Sequence, residues 1–366
     1  MVLLSWMLMV GCGGGLTVSE VVERHRGMHD VVTDSMNQER FFHDGTWHEH
    51  YGDGLMFGPS SDLAHWAWEA DESYKDRAIE GLDTNLATVA AANDDLLTAF
   101  NEIETVAMAQ LSLLEAGLFL EPEPYLEVAD PFLDTIDGIF RASGDYWDVD
   151  AGEFASDTYG PTSLSGFAAM MHLAHVMVAP DDDPDAHIER AEQVLASVEE
   201  KAWDSEAGMY RFSPGDDRVL LYPSASMLIA HGRAYALTGD EAHIERTEAI
   251  YEGIQVLLAE SGDHYHSPYS AEEMGSVDED YATLSAENYL MLGLWLAYEN
   301  TEDVKYLEDM DRILGWIEQS LLVDGLVLHH WVNGRAANEE DPWILCAGCN
   351  LQLLYILRTM ALSMEG

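Results

Sequence analysis

The stretch from Tyr222 to Tyr269 constrains the fold more than any other part of the chain. It reads as a nearly all-apolar helix, the tight turn Thr238-Gly239-Asp240, an amphipathic helix and a short extended return. In the amphipathic half, Ile244, Thr247 (through its methyl), Ile250, Tyr251, Ile254 and Leu257 fall on one helical stripe. The same offsets recur at Ile188, Ala191, Val194, Leu195 and Val198, and at Leu307, Met310, Ile313, Leu314 and Ile317. They recur again at Leu126, Ala129, Phe132, Leu133 and Ile136, and more weakly at Ile79, Leu82, Leu86 and Val89. The anchors 79, 126, 188, 244 and 307 are therefore 47, 62, 56 and 63 residues apart, room for two helices each time. Five copies in series signal a helical repeat array.

Each striped helix follows one that is apolar on nearly every face and rich in small residues: Ser163–Val178, Ser224–Leu237, Ala286–Tyr298 and the more polar Phe100–Leu118. A helix without a polar face must be covered all round. This predicts a ring of buried inner helices inside a ring of outer helices that turn charge to water. Ser60–Glu69 reads as a short inner helix before the Ile79 stripe. Trp343–Met364 looks like an inner helix with nothing after it, and Thr17–Met36 like an outer helix with nothing before it. Pairing those two closes twelve helices into an all-α (α/α)6 toroid.

The alternation of inner helix, Gly-Asp turn, outer helix and a returning strand such as Trp203 to Phe212 resembles the six-hairpin glycosidase-like superfamily. That superfamily includes the N-acylglucosamine 2-epimerases, the α-1,6-mannanases and several polysaccharide lyases and hydrolases. The likeness covers residues 17–364 and lies in periodicity and turn style. Asp94-Asp95 invites comparison with the double aspartate of the mannanases, but no catalytic residue is carried over from any one family.

The first sixteen residues read as a leader and glycine linker, and 17–366 as one toroid domain. An apolar run ending in Gly11-Cys12 is too short to span a bilayer, which takes ~20 residues. It fits the end of a secretory signal, although no Lys or Arg precedes it. A small residue before Cys12, then glycines, resembles a bacterial or archaeal lipoprotein processing site with Cys12 lipidated. The expected location is the cell envelope, periplasmic or at the cell surface.

Charge sets the habitat. The chain has 68 acidic residues against 16 basic ones, a formal net charge of −52. Self-repulsion on that scale needs high ionic strength to screen it, which points to a saline environment. The same charge excludes nucleic acid and anionic membrane faces as electrostatic partners, leaving a lipid anchor as the membrane contact.

The loops that feed the inner helices carry the functional-looking side chains. Residues 43–54 hold His48 and Asp53; residues 145–160 hold Trp147, Asp157 and Tyr159; residues 261–285 hold His264, Tyr265, His266, Asp280 and Tyr281. Trp331 and Trp343 lie in the last loop. All these loops gather at one end of a toroid, so the set predicts a central pocket. Carboxylates there can act as general acid and base, and aromatics can stack on sugar rings. Taken singly, an Asp before a helix is more often an N-cap. His48 and His50 lack the helical spacing of a metal pair, and no metal or other cofactor is expected. Cys346-Ala-Gly-Cys349, with His329 and His330 upstream, reads as small packing residues of the last inner helix in preference to a zinc or redox centre.

No nucleotide-binding glycine loop and no Gly-x-Ser-x-Gly elbow occurs. Three readings remain. The first is a glycoside hydrolase using Asp157 and Asp280, with Asp53 in reserve. The second is a sugar epimerase moving a proton through His48, His264 or His266. The third is a non-catalytic envelope protein that binds a glycan or a partner.

Overall fold

A computed structural model describes residues 15–38, 42–43, 46–47, 53–94, 103–143, 160–215, 218–266, 281–332, 334–336 and 346–364. Among them the chain forms thirteen α-helices. These are α1 (Val18–Arg24), α2 (Arg26–Met36), α3 (Asp53–Glu69), α4 (Glu72–Asp94), α5 (Ile103–Ala116), α6 (Glu123–Ser143) and α7 (Gly160–Val178). They continue with α8 (Pro184–Ala202), α9 (Leu221–Thr238), α10 (Glu241–Ile254), α11 (Leu284–Thr301), α12 (Val304–Trp316) and α13 (Ala347–Ser363). Helices α3, α5, α7, α9, α11 and α13 form the inner ring, each packed on the next, and α13 closes on α3. The outer partners are α4, α6, α8, α10 and α12, with α1 and α2 covering α13. The fold is an (α/α)6 toroid, closed by its two chain ends as the unpaired helices require.

Local sequence sets the geometry of the hairpins. The turn from α9 to α10 places Gly239 at φ 67°, the left-handed conformation that ends a helix, and the next residue, Asp240, caps α10 by accepting from the Ala242 amide. The same device follows α11, where Glu302 takes φ 55° and Asp303 accepts from the Lys305 amide. After α3 it is Ala70 at φ 57°, with Asp71 accepting from the Ser73 amide at 3.0 Å. A Cβ on Gly293 of α11 would lie 2.7 Å from Leu228 of α9, and one on Gly232 of α9 2.9 Å from Leu296 of α11. The small residues of the inner helices are thus what lets the ring draw tight.

Three details differ from the sequence reading. The first inner helix begins at Asp53 and runs through Pro59, longer than the ten residues read from the pattern. The first outer helix is broken at His25, which buries its ring and bonds Asp311 and Glu318 across to α12 and the turn after it. In α4 the buried line runs through Ala78, Leu82, Asn85 and Val89, leaving the anchor Ile79 exposed.

Short antiparallel pairs fill the returns. They include β1 (Phe42–His43) with β2 (Thr46–Trp47), β3 (Trp203–Asp204) with β4 (Met209–Tyr210), and β6 (Leu322–Val323) with β7 (Leu326–Val327). A three-stranded sheet of β5 (Tyr281–Thr283), β8 (His330–Val332) and β9 (Arg335–Ala336) lies at the start of α11. Among the described residues no helix is long and apolar enough to cross a membrane.

Candidate functional site

Five aromatic rings from five inner helices meet one another: Phe57 of α3, Phe167 of α7, Tyr222 of α9, Tyr289 of α11 and Tyr355 of α13. Tyr289 is the hub, with ring centres 4.7 Å from Tyr222, 5.9 Å from Phe57 and 6.0 Å from Phe167. Phe57 lies 5.8 Å from Tyr355. Side chains from five members of a ring of helices can meet only on its axis, so this cluster fills the axis as a floor. Four of the rings are buried, and Tyr222, in the first turn of α9, is half-buried.

An ion pair lies next to this floor. Arg233 of α9 bonds Glu115 of α5, whose second oxygen accepts from the Ser60 hydroxyl at 3.3 Å. Burial, and then the Glu115 charge, push the Tyr355 phenol well above its ordinary range. The Arg233 guanidinium, which burial would lower but Glu115 holds up, and the Tyr355 phenol therefore keep their protons at any physiological pH.

The structure brings four of the sequence-identified site residues into its described part. Tyr281 begins β5, half-buried, its ring 5.9 Å from that of His330. Trp331 on β8 pairs with Ala282 in the same sheet. His264 is buried, stacked on Trp316 at 4.4 Å, with its Nδ1 2.7 Å from Asp263. His266 and Trp331 approach the same imidazole, at 6.0 and 6.4 Å between ring centres. His264, His266 and Trp331 thus form one cluster with Trp316, at the inner-helix N-terminal end of the toroid. Asp53 opens α3, with its side chain outside the described residues. His48, Trp147, Asp157, Tyr159, Asp280, Trp343 and Cys12 lie outside the described residues altogether, as does Asp95.

Sequence reasoning overlooked Glu287, in the first turn of α11. It is fully buried, and burial pushes its carboxyl up to about 8 even though the Tyr265 amide donates to its Oε1 at 2.7 Å. Among the described residues its Oε2 has no hydrogen-bond partner. A carboxyl protonated at neutral pH in this position suggests a general acid. Its direction argues otherwise. Glu287 precedes axial Tyr289 by two residues, about 200° around a helix, and so faces the outer ring. There it meets Tyr265, Arg312 and Asp309, and its work is to hold the return after α10 onto α11. The missing signal was burial, which a Glu between Ala286 and Asn288 does not announce.

Cys346 is the N-cap of α13 and Cys349 sits one turn on, their Cα atoms 5.3 Å apart and their sulfurs joined in a disulfide. Cys346 is extended and outside the helix, so only Cys349 of the pair is helical.

No protein-family model matches this sequence, and a search of curated proteins finds no match. Solved structures match over nearly the whole chain. An inactive double-aspartate variant of an α-1,6-mannanase from Salegentibacter sp. HEL1_6, in complex with α-1,6-mannotetrose, superposes with a TM-score of 0.67 at 15% identity, covering 95% of this chain and 100% of that one. Cellobiose 2-epimerase from Bacillus thermoamylovorans gives 0.64 at 13%, covering 93% and 99%. A family 88 glycosyl hydrolase from Bacteroides vulgatus gives 0.65 at 11%, covering 95% and 100%. The chain shares with these neighbours the (α/α)6 toroid fold.

Proposed function

We propose that the protein is a carbohydrate-active enzyme, a glycoside hydrolase of the α-1,6-mannanase type, working outside the cytoplasm in a saline setting. One observation carries the reading: the fold match leaves out almost none of the mannanase scaffold, since it covers all of the mannotetrose-bound neighbour and 95% of this chain. The aromatic floor supports it, because the half-buried Tyr222, resting on Tyr289, is a ring of the kind on which sugars stack. Asp157 and Asp280, with Asp53 in reserve, are the proposed acid and base, and Cys12 the proposed lipid anchor. The loops that carry the first two enter the N-termini of α7 and β5–α11.

The test is release of reducing sugar from α-1,6-mannooligosaccharides in molar potassium chloride, with Asp157→Asn, Asp280→Asn and Asp53→Asn in parallel. Loss of turnover by about 10² to 10⁴ in two of the three, with melting temperature unchanged, supports the pair. Turnover untouched by all three removes it, and Asp94→Asn with Asp95→Asn is then the next pair. The stereochemistry of the product reports whether the pair is about 5 Å or about 6.5–9.5 Å apart.

The epimerase reading is favoured by a different observation, the histidine cluster of His264 and His266 beside Trp331, together with the cellobiose 2-epimerase match. It predicts interconversion of the reducing-end sugar with no bond cleavage, abolished by His266→Ala. Binding of the oligosaccharide without either reaction would identify a glycan-binding protein.

A further inference from the structure

The chain has three cysteines, and two of them, Cys346 and Cys349, sit together with a histidine. One ring nitrogen of His329 and the two sulfurs all lie within 4.8 Å of one another, and all three residues are buried. The sulfurs are joined in the structure, yet the same three atoms are a ligand set once the disulfide is reduced.

The surroundings hold this set in place. The Asn350 side chain accepts from the Val327 amide at 2.9 Å and donates to the Val327 carbonyl at 3.0 Å and the Cys346 carbonyl at 2.9 Å. One side chain therefore pins the strand that leads into His329 against the start of α13. The His329 carbonyl accepts from the Leu284 amide at 2.8 Å, fixing the backbone on its other side. The Cys349 amide donates to the Cys346 sulfur at 3.0 Å. Two thiolates and one imidazole are a donor set of borderline softness, suited to Zn²⁺ and to its spectroscopic stand-in Co²⁺. Three protein ligands leave a fourth position for solvent.

We propose that the reduced Cys346–Cys349 pair and His329 bind one zinc-class divalent ion, the disulfide being the alternative, metal-free state of the same site. The two states exclude each other because forming the S–S bond removes two electrons and with them both thiolate charges that hold the metal, and a two-electron reductant, such as a phosphine that is itself oxidised to its oxide, restores them. Bound metal would tie the β8 sheet to α13 at the loop end of the toroid.

The experiment reduces the full chain with a phosphine, removes the reductant without air, and titrates with Co²⁺ in molar potassium chloride. The many surface carboxylates also attract Co²⁺, but only thiolate ligation gives a sulfur-to-cobalt charge-transfer band in the near ultraviolet. The expected result is that band saturating at one equivalent, displaced by Zn²⁺ and absent from the oxidised chain. His329→Ala should weaken binding by at least the 10–100-fold typical of losing even a supporting partner. Cys349→Ser should abolish the band. Circular dichroism identifies any variant that has failed to fold, and His329→Gln then replaces His329→Ala. A reduced chain whose cysteines titrate as free thiols but that shows no band overturns the proposal. So does a folded His329 variant that binds as tightly as the parent.

Discussion

The seam where the toroid closes and the return that docks on α11 bury ionisable groups of opposite type, a base at one and an acid at the other. At the seam, Arg358 of α13 is almost fully enclosed. It donates to His29 Nε2 and Thr33 Oγ1 of α2 at 3.3 and 3.1 Å, and to the hydroxyl and carbonyl of Ser61 in α3 at 2.7 and 3.0 Å. The nearest carboxylate, Asp62, is 3.9 Å away and already bonded to Arg77 by two hydrogen bonds. Burial lowers Arg358 to about 10, and burial together with Arg358 holds His29 at about 4 and His65 at about 3. At the return, the buried group is the acid Glu287, pushed up to about 8. A chain of net charge −52 therefore carries a cation-dominated interior at one place and a protonated acid at another. Net charge belongs to the surface; inside, each group answers to its neighbours.

The sharpest way to break this comparison is to remove the seam's cation. Arg358→Leu deletes bonds to two other helices and leaves His29, Thr33 and Ser61 facing an apolar side chain. A loss of about 3–5 kcal/mol in denaturant unfolding is expected, the scale for breaking a buried charged network. A loss under 1 kcal/mol would mean that the apolar packing of α13 on α3 closes the ring unaided.

Next comes the pH response, which must run in opposite directions at the two places. The Glu287 carboxyl titrates near 8 when folded and near its ordinary 4.5 when unfolded. The unfolded chain thus binds fewer protons between those values, and this group's share of stability falls as pH rises from 4.5 to 8. At pH 7 the gap is worth ~3 kcal/mol, at 1.36 kcal/mol per pKa unit. Glu287→Gln, which keeps an acceptor for the Tyr265 amide, should recover roughly that amount at pH 7 and nothing at pH 4. Equal gains at both pH values would show that ionisation is not the cause.

His29 behaves the other way. Arg358 donates to its Nε2, so its proton sits on Nδ1, 2.9 Å from Asp30. Held near 4 when folded against 6.5 when unfolded, it takes up protons mainly on unfolding, so stability falls as pH drops from 6.5 towards 4. His29→Gln offers the same donor and acceptor without titrating. It should leave pH 7 stability close to the parent's and remove ~2–3 kcal/mol of the acid loss at pH 4. An unchanged acid slope would move the sensitivity to His65 or His231, which burial also depresses to about 3.

How much of this could be read from the sequence follows from what each feature depends on. Helix order and ring closure were legible because burial repeats with the helical period, and two unpaired helices of opposite type at the chain ends have one simple solution. The turns were legible where glycine marks them, at Gly239, but not where Ala70 or Glu302 takes the same left-handed conformation. The axial floor was not legible. Phe57, Phe167 and Tyr289 look like any core aromatics until the ring brings five helices to one line. Nor was the seam: Arg358 and His29 are 329 positions apart, and nothing local marks a buried arginine. Of the candidate site, His264, His266 and Trp331 were legible as residues of the stretches that lead into the inner helices. Their meeting around Trp316 was not, because it depends on separations between segments that share no sequence period.

The smallest effect tests what holds the return itself. Tyr265 is fixed twice, by its amide on Glu287 and by its hydroxyl, which donates to Asp309 at 2.7 Å and accepts from Arg312 at 3.1 Å and Gln255 at 3.0 Å. Asp309 keeps Arg312 at 2.7 Å and Tyr251 at 3.1 Å if that hydroxyl is lost. Tyr265→Phe should therefore cost only ~1–2 kcal/mol, the range of one hydrogen bond to a charged group. It should leave the pH slope assigned to Glu287 unchanged, since the amide bond survives. If the slope disappears with the hydroxyl, then the Asp309–Arg312 pair sets the Glu287 carboxyl, and burial in the inner ring is not enough to do so.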